Sequence, residues 1–140
     1  MKASDPYLLG YRQSEQERLE HQALELAPES SWLFDQIGIR QGMRVVEIGC
    51  GPRGCLDLLS ERVGANGKVM GVERSAEQVE RARKFVADNH LSNTEILCQD
   101  ARETGLPGAS FDFATARLVL VNVPKPELLL KEMVRLVRPG

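Results

Sequence analysis

Short runs of β-branched and apolar residues alternate along this chain with longer stretches in which apolar residues return every third or fourth position. The short runs are Met43 to Ile48, Lys68 to Glu73, Thr94 to Gln99 and Phe111 to Ala116. Each has the length and composition of a strand. The longer stretches predict helices. One carries Leu56, Leu58, Leu59 and Val63 and stops at Gly64; a second opens on a Ser75/Gln78 capping box and runs to about Asn89. A third follows Pro124 and Pro126 with Leu128, Leu129, Leu130, Met133, Val134, Leu136 and Val137. Gln41-Gly42, Ala65-Asn66-Gly67 and a loop with Gly105, Pro107 and Gly108 supply turns between them. Alternation of strand and helix implies an α/β domain, with parallel strands, right-handed crossovers and helices on both faces of the sheet.

The first 40 residues follow a different pattern. Residues 1–12, with Pro6 and Gly10, read as an irregular arm. Ser14 and Glu17 form a capping box for a helix whose apolar positions Leu19, Ala23 and Leu26 share a face. Ala27-Pro28 is expected to end it, and a second short helix with Trp32, Leu33, Phe34 and Ile37 closes at Gly38. Residues 1–40 thus form a helical arm or lid, and residues 41–140 the core.

Ligands of parallel α/β sheets bind at the carboxyl ends of the strands. At the end of the first strand stands Val45-Val46-Glu47-Ile48-Gly49-Cys50-Gly51-Pro52-Arg53-Gly54, with glycines in the pattern G-x-G-x-x-G. Glycines permit a tight turn and close approach of a ligand to the backbone, and the helix that follows offers free N–H groups. A glycine turn without ligand, a dinucleotide such as NAD, and S-adenosylmethionine are the readings such a loop allows. Glu47 separates the last two, because the end of a dinucleotide-binding first strand is normally apolar. The stretch VVEIGCGPRG resembles motif I of the class I S-adenosylmethionine-dependent methyltransferases of small molecules, with Glu47 in the acidic place two before the first glycine. It departs from the G-x-G-x-G of many members, since Pro52 and Arg53 separate Gly51 from Gly54.

Glu73 closes the second strand, roughly 20 residues past the glycine turn, where a carboxylate can accept both ribose hydroxyls. Otherwise it is a solvated loop acid. Arg74 beside it either flanks the adenine with its aliphatic stem or is a surface charge. Asp100-Ala101 resembles the family's acidic motif after the third strand, which implies that Asp100 accepts from the adenine amine and that the Ala101 N–H serves a ring nitrogen; the alternative is an Asx-turn. Phe111 to Leu118 is similar to the fourth motif, which implies that the backbone near Arg117 meets the methionine end of the cofactor. The arm, with Glu15 to Arg18, Leu19 and Gln22, resembles the N-terminal region that covers the cofactor in these enzymes, and Tyr11 is its candidate contact, or else a surface aromatic. The loop itself contributes Glu47, Gly49, Cys50 and Gly51.

The resemblance runs from about residue 11 to the end and implies the N-terminal half of a seven-stranded Rossmann-like fold, with its four strands in the order 3-2-1-4. Phe111 to Ala116 would then lie at an open edge. The expectation is a homo-oligomer, or a longer protein whose further strands cover that edge. The implied reaction is in-line transfer of a methyl group to an O, N or C nucleophile of a small molecule. The runner-up readings are a cofactor-binding fragment without catalysis and an NAD-dependent oxidoreductase. No general base is evident: His21 belongs to a helix surface and His90 precedes a strand.

A net charge of −2 with no basic run gives no sign of a nucleic-acid partner. No stretch approaches a membrane span and no signal pattern opens the chain, so a cytoplasmic home is expected. Three cysteines (Cys50, Cys55 and Cys98) and two histidines match no metal-binding spacing. Cys98 falls in a predicted strand and is expected in the core.

Overall fold

The computed structural model of the chain describes residues 6–117 and 124–139, and for residues 6–13 and 16 the backbone alone. A long helix α1 (Pro6–Ile37) precedes β1 (Arg44–Ile48), α2 (Leu56–Val63), β2 (Lys68–Glu73), α3 (Ala76–Asp88), β3 (Thr94–Cys98), β4 (Phe113–Ala116) and α4 (Pro126–Leu136). The strands form one sheet in the order β3-β2-β1-β4, all parallel, with Val46 opposite both Met70 and Ala114. This is the expected Rossmann-like order.

Both faces of the sheet are covered, so β1 is buried from Val45 to Ile48 and apolar there except at Glu47. Val45 packs with Leu56, Leu59, Val63, Val79 and Ala82 of α2 and α3 and with Phe34 of α1. Val46 and Ile48 pack on the opposite side with Phe111 and with Leu129 and Leu136 of α4. Alternating side chains thus feed two cores, one per face.

Three expectations are corrected. The arm is one helix, not an irregular segment and two short helices: residues 6–12 are helical, Ser14 lies inside α1 and caps nothing, and Pro28 is accommodated within it. An interior proline costs about 3 kcal/mol. Packing beyond it offsets that cost. Ser30 and Phe34 are buried against the core, and Arg62 of α2 reaches Asp35 at 2.9 Å and the Ser31 hydroxyl at 2.6 Å. Second, Cys98 is exposed, not a core residue. Among the described residues β3 is an edge strand, and Cys98 sits at its last position opposite Glu73. Third, β4 begins at Phe113, because Phe111 leaves the β1 register to bridge Val137 and Asp112 folds back to accept the Arg44 N–H at 2.8 Å.

The loop between β3 and β4 is fastened to α4 by one carboxylate. Glu132 Oε2 accepts from the Thr104 N–H at 3.1 Å and its hydroxyl at 2.6 Å, while Arg135 holds both oxygens. The Arg135 guanidinium and the Thr104 donors keep its pKa down at about 2, against the effect of burial. Glu132→Ala leaves the Thr104 N–H without this acceptor, and we expect a loss of about 1–3 kcal/mol in chemical denaturation at neutral pH. Unchanged stability would show that the clip contributes nothing.

Among the described residues β4 pairs only with β1, so its other edge is open there. That edge and α4 border an apolar groove of about 540 Å³ lined by Ala114, Leu130, Met133, Val134 and Val137, with Val134 75% exposed. No helix among the described residues is long and apolar enough to cross a membrane.

Candidate functional site

The carboxyl ends of the four strands bring Glu47, the glycine turn, Glu73, Asp100 and Arg117 to one edge of the sheet. The turn is locked to β2: the Gly49 and Cys50 N–H groups both donate to the Val72 carbonyl, at 2.7 and 3.2 Å. Two of its glycines are required for different reasons. At Gly54, with φ +51°, a Cβ would stand 2.6 Å from Glu47 Oε2 and 2.8 Å from the Cys50 carbonyl. At Gly51, with φ +61°, a Cβ would meet nothing within 4 Å. Gly54 is small because the protein fills the space around it, whereas Gly51 faces open space that a ligand can enter.

Glu47 is 2% exposed. Its two oxygens each accept from the Cys55 N–H at 3.0 Å, which ties the end of the loop to the end of β1. Burial raises its pKa to about 7, while the Cys55 N–H and the charge of Arg117 oppose the rise. Burial and Glu47 together push the Cys55 thiol up to about 12, and burial pushes Cys50 up as well, so neither thiol is a nucleophile at neutral pH.

Arg117, just past β4, reaches across to α1 and donates to the Ser30 hydroxyl at 2.9 Å. Below this strap lies a cavity of about 60 Å³, lined by Leu19, Gln22 and Ala23 of α1, by Glu47, Gly49 to Pro52 and Gly54, and by Arg117. That volume holds a few waters. It ends at the glycine turn, and Glu73 and Asp100 lie outside its lining, at the outer end of this edge.

At the outer end Glu73 is half-buried and already engaged. Its Oε1 accepts from the Gly51 N–H at 3.1 Å and its Oε2 from the Ser75 N–H at 3.0 Å. Asp100 is held more tightly. Its Oδ1 accepts the Arg102 N–H at 2.8 Å in an Asx-turn, and the Arg102 guanidinium takes both oxygens. Arg102 keeps the Asp100 pKa down at about 2. Ala101 packs into the core beside α4, and Arg74 is exposed. The Tyr11 side chain lies outside the described residues. His21 is an exposed helix residue 3.5 Å from Glu25, and His90, with φ +56°, follows α3.

The sequence reading took Leu19 and Gln22 with the arm that resembles a cofactor cover, but assigned none of Leu19, Gln22, Ala23 or Ser30 to the site. Leu19 and Ala23 stood one turn apart on the apolar face of the helix, a spacing that marked them as inward-facing. The resemblance placed the arm over the cofactor, but nothing in the sequence marked which of its residues face the glycine turn. Among the described residues no cluster of His, Cys, Asp or Glu could hold a metal ion.

The family described as "Methyltransferase domain" matches residues 45–140. The demethylmenaquinone methyltransferase of Staphylococcus aureus is 34% identical over 108 residues, covering 77% of this chain and 44% of its own length. The chain therefore spans a little under half of that relative. A SAM-dependent methyltransferase from Aquifex aeolicus superposes with a TM-score of 0.78 at 28% identity, over 89% of this chain and 68% of that one. An arsenic(III) S-adenosylmethionine methyltransferase from Chlamydomonas reinhardtii gives 0.66 at 27% identity, over 74% and 37%. With the β3-β2-β1-β4 order and the glycine turn in place, the chain belongs to the S-adenosylmethionine-dependent methyltransferase-domain family of class I fold.

Proposed function

We propose that this chain binds S-adenosylmethionine along the carboxyl edge of its sheet and directs its methyl group to a small-molecule nucleophile. The observation that carries the reading is the open space at Gly51 beside the Glu73 carboxylate, at the end of a turn locked to β2. A diol-bearing sugar needs such a pairing: a backbone without a Cβ to approach, and a carboxylate to accept its hydroxyls. Glu47, Gly49, Cys50, Gly51 and Arg117 surround the inner end, where the methionine portion belongs. Glu73, Arg74, Asp100 and Ala101 flank the outer end, for ribose and adenine, and Tyr11 belongs to the covering arm. Asp100 can serve adenine only as it is held by Arg102, so its part is the fixed acceptor of a preset turn.

The bound cofactor supplies a methyl already activated by a positive sulfur. What remains for the protein is alignment and exclusion of water. The loop and α1 do both: Leu19 and Ala23 close an apolar roof over the turn, and the Arg117–Ser30 bond holds that roof down. The Staphylococcus relative makes a quinol-type ring the first acceptor to test. On this reading the apolar groove along β4 and α4 is covered by further strands or by a second copy, and light scattering of the chain reports which.

Calorimetric titration of the chain with S-adenosylhomocysteine and with NAD tests the cofactor. Heat of binding from the first and none from the second is expected, and the reverse would overturn the reading. Transfer of labelled methyl to a demethylmenaquinol then tests the acceptor. Its absence, with the cofactor bound, would exclude that acceptor.

A further inference from the structure

The inner cavity carries two opposite charges that are not paired with each other. Its charged lining residues among those described are Glu47 of β1 and Arg117, just past β4. The charge of Arg117 acts on Glu47, yet the two side chains form neither a hydrogen bond nor an ion pair with each other. Each is held by a different partner. Glu47 takes the Cys55 N–H, and Arg117 donates to the Ser30 hydroxyl at 2.9 Å. Ser30 is itself fixed, because it is buried on a stretch of α1 that Phe34 and the Arg62–Ser31 bond dock to the core. A guanidinium carries several N–H donors in a planar fork. The bond to Ser30 is the one that this guanidinium makes among the described residues.

We propose that the Arg117 guanidinium is the receptor for the carboxylate of the cofactor's amino-acid end, and that Ser30 is the positioning residue that holds it ready. The inference rests on the cofactor reading above and deepens it, from the backbone near Arg117 to its side chain. An α-amino acid end is a zwitterion, with its two charges on neighbouring atoms of one carbon. A cavity whose acid and base are kept apart takes such a group in one orientation, with the carboxylate at Arg117 and the ammonium on the Glu47 side. Bonds from the guanidinium fork to a carboxylate are charge-assisted and can be bidentate. Ser30 matters because an arginine side chain is long and mobile. Without the hydroxyl the guanidinium is free to swing onto Glu47, and a ligand would then have to break that pair. With it the donors are fixed before the ligand arrives, which lowers the ordering cost of binding. The strap thus makes recognition of one end of the cofactor depend on the docking of α1.

Calorimetry on the full chain with S-adenosylhomocysteine and with its decarboxylated analogue tests this, since the two ligands share ammonium, sulfur and adenosine. Wild type should prefer the first by about tenfold, the lower end for a hydrogen bond to a charged group. Arg117→Met should bind the two alike, with an affinity for the analogue close to that of wild type. Ser30→Ala should narrow the preference to about threefold, the scale of ordering one long side chain. A residue that only clamps the α1 roof would not tell the ligands apart. An equal loss toward both ligands in Arg117→Met, or the wild-type preference retained there, would therefore overturn the inference. An undiminished preference in Ser30→Ala would remove Ser30 from the role. Thermal melting without ligand checks that each variant folds; where Arg117→Met does not, Ser30→Ala, which removes a single hydroxyl, decides by the same comparison. A wild type that binds both ligands equally overturns this inference and leaves the cofactor reading standing, whereas one that binds neither overturns both.

Discussion

Glu73→Ala should weaken S-adenosylhomocysteine binding by about ten- to a hundredfold, more than any other single side-chain change outside the glycine turn. Hydrogen bonds to an ionised acceptor are each worth roughly 1.5–3 kcal/mol, which is that range in affinity. The carboxylate acts by two routes. Toward the ligand it is the acceptor for the ribose hydroxyls. Toward the protein it holds the Gly51 N–H at 3.1 Å, which fixes the loop where the ligand must approach. A 2′,3′-dideoxy analogue separates the two. If the ribose contact dominates, Glu73→Ala and wild type should bind the analogue with nearly equal affinity. If loop fixation dominates, the variant should be equally impaired toward both ligands. A dissociation constant for S-adenosylhomocysteine unchanged by the substitution would remove Glu73 from the site.

The core was legible where local signals agreed with each other. β2 begins and ends where its apolar run does, at Lys68 and Glu73, and α2 stops at Gly64, where φ is +68°. Strand order was not written in periodicity; it came from the resemblance of the glycine turn. The arm misled because Pro28 is a strong local stop signal, and packing of Ser30, Phe34 and Asp35 across the fold overrides it. Cys98 misled because alternation along a strand does not say whether a partner lies beyond it, and among the described residues β3 has none on its outer side. At the site, residue types were legible but their present partners were not. Asp100 and Glu73 could be singled out as acids at strand ends. That Arg102 grips the first and that two backbone N–H groups occupy the second follows from the path of each loop, which no spacing encodes.

Glu47 gives the largest expected dependence on pH. The unfolded chain titrates this carboxyl near 4.5, and burial moves it to about 7 in the folded protein. Between these values the folded state keeps a proton that the unfolded state releases. Stability is therefore fully present below about pH 4.5 and falls as pH rises through 7. A shift of this size corresponds to a loss on the order of 3 kcal/mol. The groups that face the carboxyl are the Cys55 N–H, Arg117 and Asp57, of which the first two favour the charged form. Asp100 and Glu132 do not blur the window, because their folded values are near 2 and their contributions are lost only as pH falls below the carboxylate range. Glu47→Gln keeps the shape and an acceptor for the Cys55 N–H but cannot ionise. Urea denaturation at pH 5, 6, 7 and 8 should show wild type losing stability relative to this variant across the series, with the two nearest each other at pH 5. A cationic sulfonium bound beside the carboxyl would favour its ionised form, so S-adenosylmethionine should release protons on binding near pH 6 and neutral S-adenosylhomocysteine should release fewer. Parallel pH profiles for wild type and Glu47→Gln would mean that the carboxyl is already ionised in the folded protein, held so by Arg117 and the loop N–H.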